Sequence, residues 1–86
     1  MAPMKLARYV KFREEKFGGV LFETRSEKVF TLNGTAAAVV REIHAGGSEE
    51  DISARLRLRF RDEAAAVEQE AFAFIAELRQ KGLVEG

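Results

Sequence analysis

The hydrophobic rhythm of residues 28 to 47 (KVFTLNGTAAAVVREIHAGG) constrains the fold more than any other stretch of the chain. Apolar side chains alternate up to Asn33-Gly34 and recur every three or four residues beyond it. This change of period predicts a strand, Lys28 to Leu32, that runs directly into a helix. Because neighbouring strand residues point to opposite faces, Val29 and Phe30 make both faces of the strand partly apolar.

Two helices are predicted after this strand. The first is expected to be capped by Thr35 and to end at Gly46-Gly47. The second is expected to begin at Ser48, because a serine followed by acidic residues is a typical helix start. Each helix has one apolar face, which indicates burial on one side. These faces consist of Ala36, Val39, Val40 and Ile43 in the first helix, and Ile52, Leu56 and Phe60 in the second.

A third helix is predicted from about Glu63 to Lys81, with Asp62 as its cap and Gly82 as its end. The apolar pair Leu83-Val84 is then expected to fold back onto the domain. On a helical wheel the core stripe contains Val67, Ala71, Phe74 and Leu78. A second apolar flank, formed by Phe72 and Ile75 with Glu68 and Arg79 at its margin, favours contact with something outside that core.

Two shorter strands are predicted near the N-terminus, Tyr9 to Arg13 and Val20 to Arg25, with a turn at Gly18-Gly19 between them. Together with the strand from Lys28 to Leu32, they predict an antiparallel meander. The expected fold class is therefore α+β. It consists of a three-stranded antiparallel sheet followed by three helices, in a winged helix-turn-helix-like arrangement.

The length and composition limit what the chain can be. Its 86 residues suffice for one domain, and we expect residues 1 to 7 to be a flexible N-terminus and residues 8 to 86 to form that domain. The absence of cysteine excludes disulfides, thiolate zinc sites and protein-ligated iron–sulfur clusters. No apolar run has the length of a secretory signal or a membrane span, which favours the cytoplasm.

No pattern in the chain is typical of catalysis or metal binding. The single histidine, His44, lies in the last turn of a predicted helix, where the helix dipole alone favours it. The acidic pairs Glu14-Glu15 and Glu49-Glu50 are adjacent in sequence, so their carboxylates point in different directions. The glycine pairs match neither the dinucleotide fingerprint nor the P-loop. We therefore expect no enzymatic activity, no cofactor and no metal.

Closely spaced arginines are the one sign of nucleic-acid binding. Arg55 and Arg59 share a face of the second helix, and Arg57 and Arg61 lie beside them. In a winged-helix protein such a cluster can hold phosphates. Fourteen basic residues balance fourteen acidic ones, however, and acidic neighbours favour an ordinary solvated surface. Binding of DNA is therefore the alternative function.

The strand from Lys28 to Leu32 is also a candidate docking edge. If it lies at the edge of the sheet with the third helix beside it, Phe30 or Val29 would face Phe72 and Ile75 across a groove. A peptide that pairs with such an edge gains main-chain hydrogen bonds, and pockets for its side chains give specificity. Pairing of the edge with a second copy of the chain is a third hypothesis.

Three stretches resemble the PqqD-like family, namely FTLNGTAAAVV, GGSEEDISARL and FIAELRQKGLV. The family consists of precursor-peptide recognition elements from pathways that modify ribosomally made peptides (RiPP pathways). The resemblance extends over roughly residues 8 to 84. It implies a non-catalytic peptide chaperone that presents the leader segment of a precursor peptide to a modifying enzyme, often a radical S-adenosylmethionine enzyme.

The resemblance also implies where the leader binds. It would add as a further strand beside the strand from Lys28 to Leu32, in the cleft against the third helix. The predicted peptide-binding residues are Lys28, Val29, Phe30, Thr31, Leu32, Glu68, Ala71, Phe72, Ile75 and Arg79. The pattern around the first hairpin differs from that of the pathway that named the family, so other radical-enzyme systems and lasso-peptide systems remain open.

Overall fold

The fold combines a three-stranded sheet, three helices and a short pair of terminal strands, and it is seen in a computed structural model that describes residues 3–85. In chain order the elements are β1 (Lys5–Leu6), β2 (Val10–Glu15), β3 (Gly18–Glu23), β4 (Lys28–Leu32), α1 (Gly34–Ala45), α2 (Glu49–Arg59), a 3-10 turn (Arg61–Glu63), α3 (Ala64–Gln80) and β5 (Val84–Glu85). The predicted α+β class with three strands followed by three helices is confirmed, and β4 has the predicted bounds.

The main sheet has the order β2-β3-β4, with both pairs antiparallel. Leu21 lies opposite Phe12 on one side and Phe30 on the other, so these three side chains share the inner face. Phe22 lies opposite Val29 on the outer face. The inner face of β3 therefore carries Leu21, and its outer face carries Phe22.

The turn between β2 and β3 differs from the prediction. Both glycines lie inside β3, and the chain turns at Lys16 and Phe17 instead. Gly18 has φ 148°, and a Cβ there would overlap the carbonyl oxygen of Leu32. Gly18 is needed because the backbone at Leu32 and Asn33 passes close to it, not because the chain turns there.

The cap of α1 also differs from the prediction. The side chain of Asn33 accepts a hydrogen bond from the backbone N–H of Ala36 at 2.8 Å, so the helix starts at Gly34 and Thr35 lies inside it. Asn33 can do this because it still has extended backbone angles at the end of the strand. The helix therefore follows β4 with only one intervening residue, which fixes the direction of α1 relative to the edge of the sheet.

The predicted start of α2 is confirmed in detail. The hydroxyl of Ser48 accepts from the backbone N–H of Asp51, and the carboxylate of Asp51 accepts from the backbone N–H of Ser48. This reciprocal capping box satisfies two N–H groups that the helix itself leaves unpaired. The backbone hydrogen bond from Ser48, followed by the Ser48 side chain, lowers the pKa of Asp51 below its usual value.

The start of α3 was predicted one residue early, with the wrong cap. Asp62 lies within a 3-10 turn, which closes through a backbone bond from Glu63 N–H to the Phe60 carbonyl oxygen at 2.9 Å. The helix begins at Ala64 without a side-chain cap. Its other end is as predicted, since Gly82 follows the last turn with φ 71°.

The N-terminal segment packs against the domain. Residues 1 and 2 lie outside the described residues, but Met4 is 2% exposed and its N–H donates to the Gly47 carbonyl oxygen at 3.0 Å. Strand β1 pairs antiparallel with β5, so the folded-back tail predicted at Leu83-Val84 holds the start of the chain in place. The sequence did not predict this pairing, because it joins the two ends of the chain.

The core lies between the inner face of the sheet and the three helices, with α1 at its centre. Val39, Val40 and Ile43 are at most 1% exposed, as their spacing predicted. Burying each such side chain contributes about 1.5–3 kcal/mol, so α1 holds much of the core together. Ile52 and Leu56 join the same core from α2.

Candidate functional site

Strand β4 lies at an edge of the sheet. It pairs with β3 on one side, and none of residues 3–85 forms a strand on its other side. The backbone N–H and C=O groups that point outward from an edge strand are able to pair with another chain. The rest of the candidate site is built around this edge.

A cleft of about 340 Å³ lies between β4 and the C-terminal half of α3. Its floor consists of the buried side chains of Leu21, Leu78 and Leu83. Phe30 from β4 and Phe74 from α3 are half-buried and form its walls. The cleft is therefore an apolar trough that runs along an edge strand.

Two charged side chains of α3 stand at the mouth of this cleft. The ammonium of Lys81 lies 3.6 Å from Oε1 of Glu77, one helical turn earlier. The same ammonium is 5.8 Å from the centroid of the Phe30 ring, at the outer limit of a cation–π contact. The cleft thus has apolar side chains in its floor and walls and an ion pair of a lysine and a glutamate at its rim.

Tyr9 fixes the end of α3 relative to the sheet. Its hydroxyl donates to the Gly82 carbonyl oxygen at 2.5 Å, and the guanidinium of Arg25 lies 3.6 Å from the centroid of its ring. The backbone N–H and the hydroxyl of Thr24 both donate to the Tyr9 carbonyl oxygen. Tyr9 therefore joins the end of the helix to the turn that precedes β4.

Glu23 stabilises the turn at residues 24 to 27. Its carboxylate accepts hydrogen bonds from the Ser26 hydroxyl and from the Arg25 N–H, the latter at 2.8 Å. The hydrogen bond from Ser26 is the main reason why the pKa of Glu23 is lowered, against the opposing effect of burial. The charged carboxylate thus holds the loop that leads into β4.

The structure brings the strand part of the predicted site to the cleft. Val29, Phe30, Thr31 and Leu32 line it, and Lys28 begins the same strand with an exposed side chain. Val29 is 59% exposed and also borders a second hollow of about 350 Å³ on the outer face of the sheet. The residues that line this second hollow all belong to strands. The cleft beside α3 is therefore the better candidate for holding a peptide on two sides.

The helix part of the predicted site lies elsewhere. Ala71 and Ile75 are buried in the core, whereas Phe72 is 70% exposed. Glu68 pairs with Arg57 of α2 at 3.0 Å, and Arg79 pairs with Glu49 of α2 at 2.7 Å. These two ion pairs place that face of α3 against α2, about 150° around the helix from the stripe that lines the cleft. The expected facing of Phe72 and Ile75 toward β4 is therefore corrected, while the peptide-binding role of these side chains stays a prediction.

The helix residues that do line the cleft were not predicted from the sequence. They recur at the spacing of one helix face and comprise Phe74, Glu77, Leu78 and Lys81. Phe74 and Leu78 were assigned to the core because they share the wheel with Val67 and Ala71. Glu77 and Lys81 lie one turn apart on that side of the helix and could have indicated this face. A fully buried stripe does not continue into charged residues.

Three of the four arginines that suggested nucleic-acid binding have partners within the protein. Arg55 donates to Oε1 of Glu42 at 2.5 Å and to the carbonyl oxygens of Glu42 and Gly46 at 3.0 and 2.6 Å. Arg57 pairs with Glu68, as described above. Arg59 lies 3.9 Å from the Glu42 carboxylate. These guanidinium groups join α2 to α1 and α3, and their charge is offset by neighbouring carboxylates.

Other features of the described residues add no site. His44 is exposed at the end of α1, and residues 3–85 contain no group of three histidine or acidic side chains placed to hold a metal ion. None of the helices in that range is long and apolar enough to cross a membrane.

Comparison with known proteins identifies relatives of this chain. The family described as coenzyme PQQ synthesis protein D (PqqD) matches residues 18–84. No curated protein matches the chain in sequence. Among solved structures, lasso peptide synthetase B1 complexed with the leader peptide is similar with a TM-score of 0.77 and 26% identity, covering 99% of this chain and 100% of that one.

Two further structures share the fold at lower identity. TbiB1 in complex with the TbiA(beta) leader peptide has a TM-score of 0.80 and 21% identity, covering 95% of each chain. SuiB of Streptococcus suis, bound to S-adenosylmethionine, has a TM-score of 0.55 and 17% identity, and the match covers 93% of this chain but only 22% of SuiB. A fold of this kind therefore occurs both as a whole chain and as part of a much longer one.

Proposed function

The chain belongs to the PqqD family, and from that premise we propose that it binds the leader segment of a ribosomally made precursor peptide and presents it to a modifying enzyme. The observation that carries this proposal is the open edge of β4 beside the cleft to α3. A leader in an extended conformation pairs with β4 and so becomes a fourth strand of the sheet. This is the β-strand addition by which many domains bind peptides.

Affinity and selectivity come from different parts of this site. Main-chain hydrogen bonds to β4 hold a peptide of any sequence. Every second side chain of that peptide points into the cleft, where Phe30 and Phe74 offer aromatic walls above an aliphatic floor. Peptides with bulky apolar residues at those positions bury the most surface and therefore bind best.

The similarity to lasso peptide synthetase B1 supports this proposal, since that protein was solved with a leader peptide and matches along its whole length. The domain is proposed to act without catalysing a reaction. Its partner would be a separate or fused enzyme that modifies the peptide after the leader has docked. A radical S-adenosylmethionine maturase and the enzymes of a lasso-peptide pathway are both proposed partner classes, in the cytoplasm.

An NMR titration tests the proposal. Labelled protein is mixed with synthetic leader peptides taken from short reading frames beside its gene. We expect shifts concentrated on residues 28–33 and on the cleft side of α3, at Phe74, Glu77 and Lys81. Shifts confined to α2 on addition of duplex DNA, with no response to any leader, would favour the DNA-binding alternative.

Backbone methylation of the peptide separates strand addition from other modes of binding. Methyl groups on alternate peptide nitrogens are expected to abolish binding at one set of positions and to leave it unchanged at the other, because only every second N–H of an added strand faces β4. Equal effects at all positions would contradict strand addition. Sedimentation of the free protein over a range of concentrations shows whether β4 pairs with a second copy instead, as a homodimer.

A further inference from the structure

Lys81 lies at one end of the cleft, where it is paired with Glu77. The Lys81 end lies beside the turn at residues 24 to 27, because Tyr9 bonds to Gly82 and its ring stacks with Arg25 of that turn. Lys28 is the first residue of β4 after this turn. The cation at the mouth of the cleft is therefore at the same end as the start of β4, while Leu32 marks the other end.

Lys28 adds a second cation at this end. In the register of the sheet, Lys28 lies opposite Glu23, on the same face as Phe30. The carboxylate of Glu23 is occupied by Ser26 and Arg25, as described above. Among residues 3–85, Lys28 forms no ion pair within 4.0 Å, and the carboxylate of Glu23 pairs with Arg25 instead. Lys28 does not line the cleft itself, so Lys81 is the cation that a ligand in the cleft meets, with Lys28 just beyond its end.

The carboxylate that now pairs with Lys81 can be displaced. Glu77 and Lys81 are 52% and 44% exposed, and their ammonium and carboxylate are 3.6 Å apart. Exposed pairs of this kind contribute little to stability, because both partners remain well hydrated. Lys81 can therefore turn to a carboxylate of a bound peptide without disturbing α3.

We propose that the cleft selects leader segments in which a bulky apolar residue is followed, two positions later, by an aspartate or glutamate. This inference rests on the proposed function and names the sequence that the site prefers. The apolar side chain lies opposite Phe30 and fills the trough. The acidic side chain lies opposite Lys28 and binds Lys81 at the mouth, so Lys81 is a specificity-determining residue.

The order of the two residues follows from strand geometry. Side chains two positions apart in a strand share a face and are about 6.8 Å apart. We take the added strand to be antiparallel to β4, because antiparallel pairing is the more stable kind. Moving from Phe30 back to Lys28 along β4 then corresponds to moving two residues forward along the peptide.

Selection from a displayed library of random peptides tests this inference and does not require the sequence of the natural leader. The library is selected in parallel on the wild-type protein, on Lys81→Glu and on Arg61→Glu. The last variant is the matched control, because it makes the same change of charge at an exposed position on the 3-10 turn before α3, away from the cleft. Circular dichroism shows that each variant is folded before selection.

The expected result is a reversal of charge preference at one position. Peptides enriched on the wild type and on Arg61→Glu carry an acidic residue two positions after an apolar one, and those enriched on Lys81→Glu carry lysine or arginine there. Resynthesised peptides in which this acid is replaced by glutamine bind the wild type about two- to fivefold more weakly, the effect of one exposed ion pair.

Other results would overturn the inference in distinguishable ways. Enrichment of apolar residues without a charged position, or an acid two positions before the apolar residue, would contradict the inference and leave leader binding in place. The same motif on wild type and Lys81→Glu would remove Lys81 from recognition. Enrichment of no sequence on any of the three proteins would contradict the proposed function itself.

Discussion

Tyr9 and Gly82 are joined by a hydrogen bond of 2.5 Å from the tyrosine hydroxyl to the glycine carbonyl oxygen, across 73 positions of the chain. This bond ties the end of α3 to the segment just before β2. Since Arg25 stacks on the same ring, the turn before β4 is held to the same point. Tyr9 thus links the residue that follows α3 to the turn that precedes β4, although it belongs to neither segment.

Replacing Tyr9 by phenylalanine tests this link. The ring and its contact with Arg25 are retained, and only the hydroxyl is lost. We expect the free energy of unfolding to fall by about 1 kcal/mol, the usual net contribution of one hydrogen bond. For a domain of this size the melting temperature then falls by about 4–8 °C. An unchanged denaturation curve would mean that the end of α3 is held by the β1-β5 pairing alone.

The parts of the fold that the sequence predicted correctly depend on local signals. The bounds of β4 follow from the change of period at Asn33-Gly34, and the start of α2 follows from the residues of its own capping box, Ser48 and Asp51. Both signals lie within a few residues of the feature that they predict. Because such local signals predict each element in turn, they also predict the winged-helix-like order of strands followed by helices.

What the sequence did not predict depends on contacts between distant segments. The pairing of β1 with β5 joins the two ends of the chain, and the rotation of α3 is set by which side of it meets α2 and which meets β4. A helical wheel gives the angle between the side chains of Phe72 and Phe74. It does not show on which side of the helix α2 or β4 lies. The helix side chains predicted to bind the peptide therefore lie on a different face of α3 from the one that lines the cleft, and their role in binding stays a prediction.

Arg55 tests whether the arginines of α2 are structural. Arg55→Met removes bonds to the carbonyl oxygens of Glu42 and Gly46 at the end of α1 and leaves the Glu42 carboxylate without its main partner. We expect unfolding in urea to show a loss of about 1–3 kcal/mol. Arg61→Met is the control, expected to change stability by less than about 0.5 kcal/mol because the side chain is exposed and outside the core. Equal effects of the two substitutions would contradict a clamp at Arg55.

The lowered pKa of Glu23 predicts how the stability of the protein changes as the pH falls. Its pKa is lowered in the folded state from the usual 4.5, so the unfolded chain binds the proton more readily. The stability that Glu23 contributes is complete above the unfolded pKa and is lost as the pH falls through the folded pKa. Glu23→Gln is therefore expected to be less stable at neutral pH and to lose stability less steeply between about pH 5 and 3.

Chemical denaturation at a series of pH values measures this slope. Asp51 has a lowered pKa as well, so some acid dependence remains in Glu23→Gln. Glu27→Gln, at an exposed position in the same turn, is the matched control and should keep the wild-type slope. A Glu23→Gln variant whose stability falls with acid as steeply as that of the wild type would show that Glu23 is not held as a charged group in the folded protein.

Alanine substitutions at Phe72 and Phe74 test which face of α3 contacts the proposed leader peptide. The two residues stand two positions apart on one helix, and truncation to alanine makes the same chemical change at both. Phe74 lines the cleft, whereas Phe72 is 70% exposed on the face that carries the ion pairs to α2. Phe74→Ala is expected to weaken leader binding by about tenfold, since a half-buried aromatic wall is lost from the pocket. Phe72→Ala is expected to leave both the fold and the affinity unchanged.

Calorimetric titration with a leader peptide that binds the wild type measures the affinity of both variants. Circular dichroism first shows that each variant is folded. Phe74 also packs against the core, so part of its cost falls on stability, and the affinity is compared at a temperature well below the lowest melting point. Weaker binding by Phe72→Ala with normal binding by Phe74→Ala would return the peptide to the face predicted from sequence, where Glu68 and Arg79 flank Phe72. The ion pairs to α2 would then have to open for the leader to bind, and binding would weaken the packing of α2 on α3. The cleft geometry predicts the opposite, because a peptide beside β4 reaches Phe74 without any ion pair to α2 being broken.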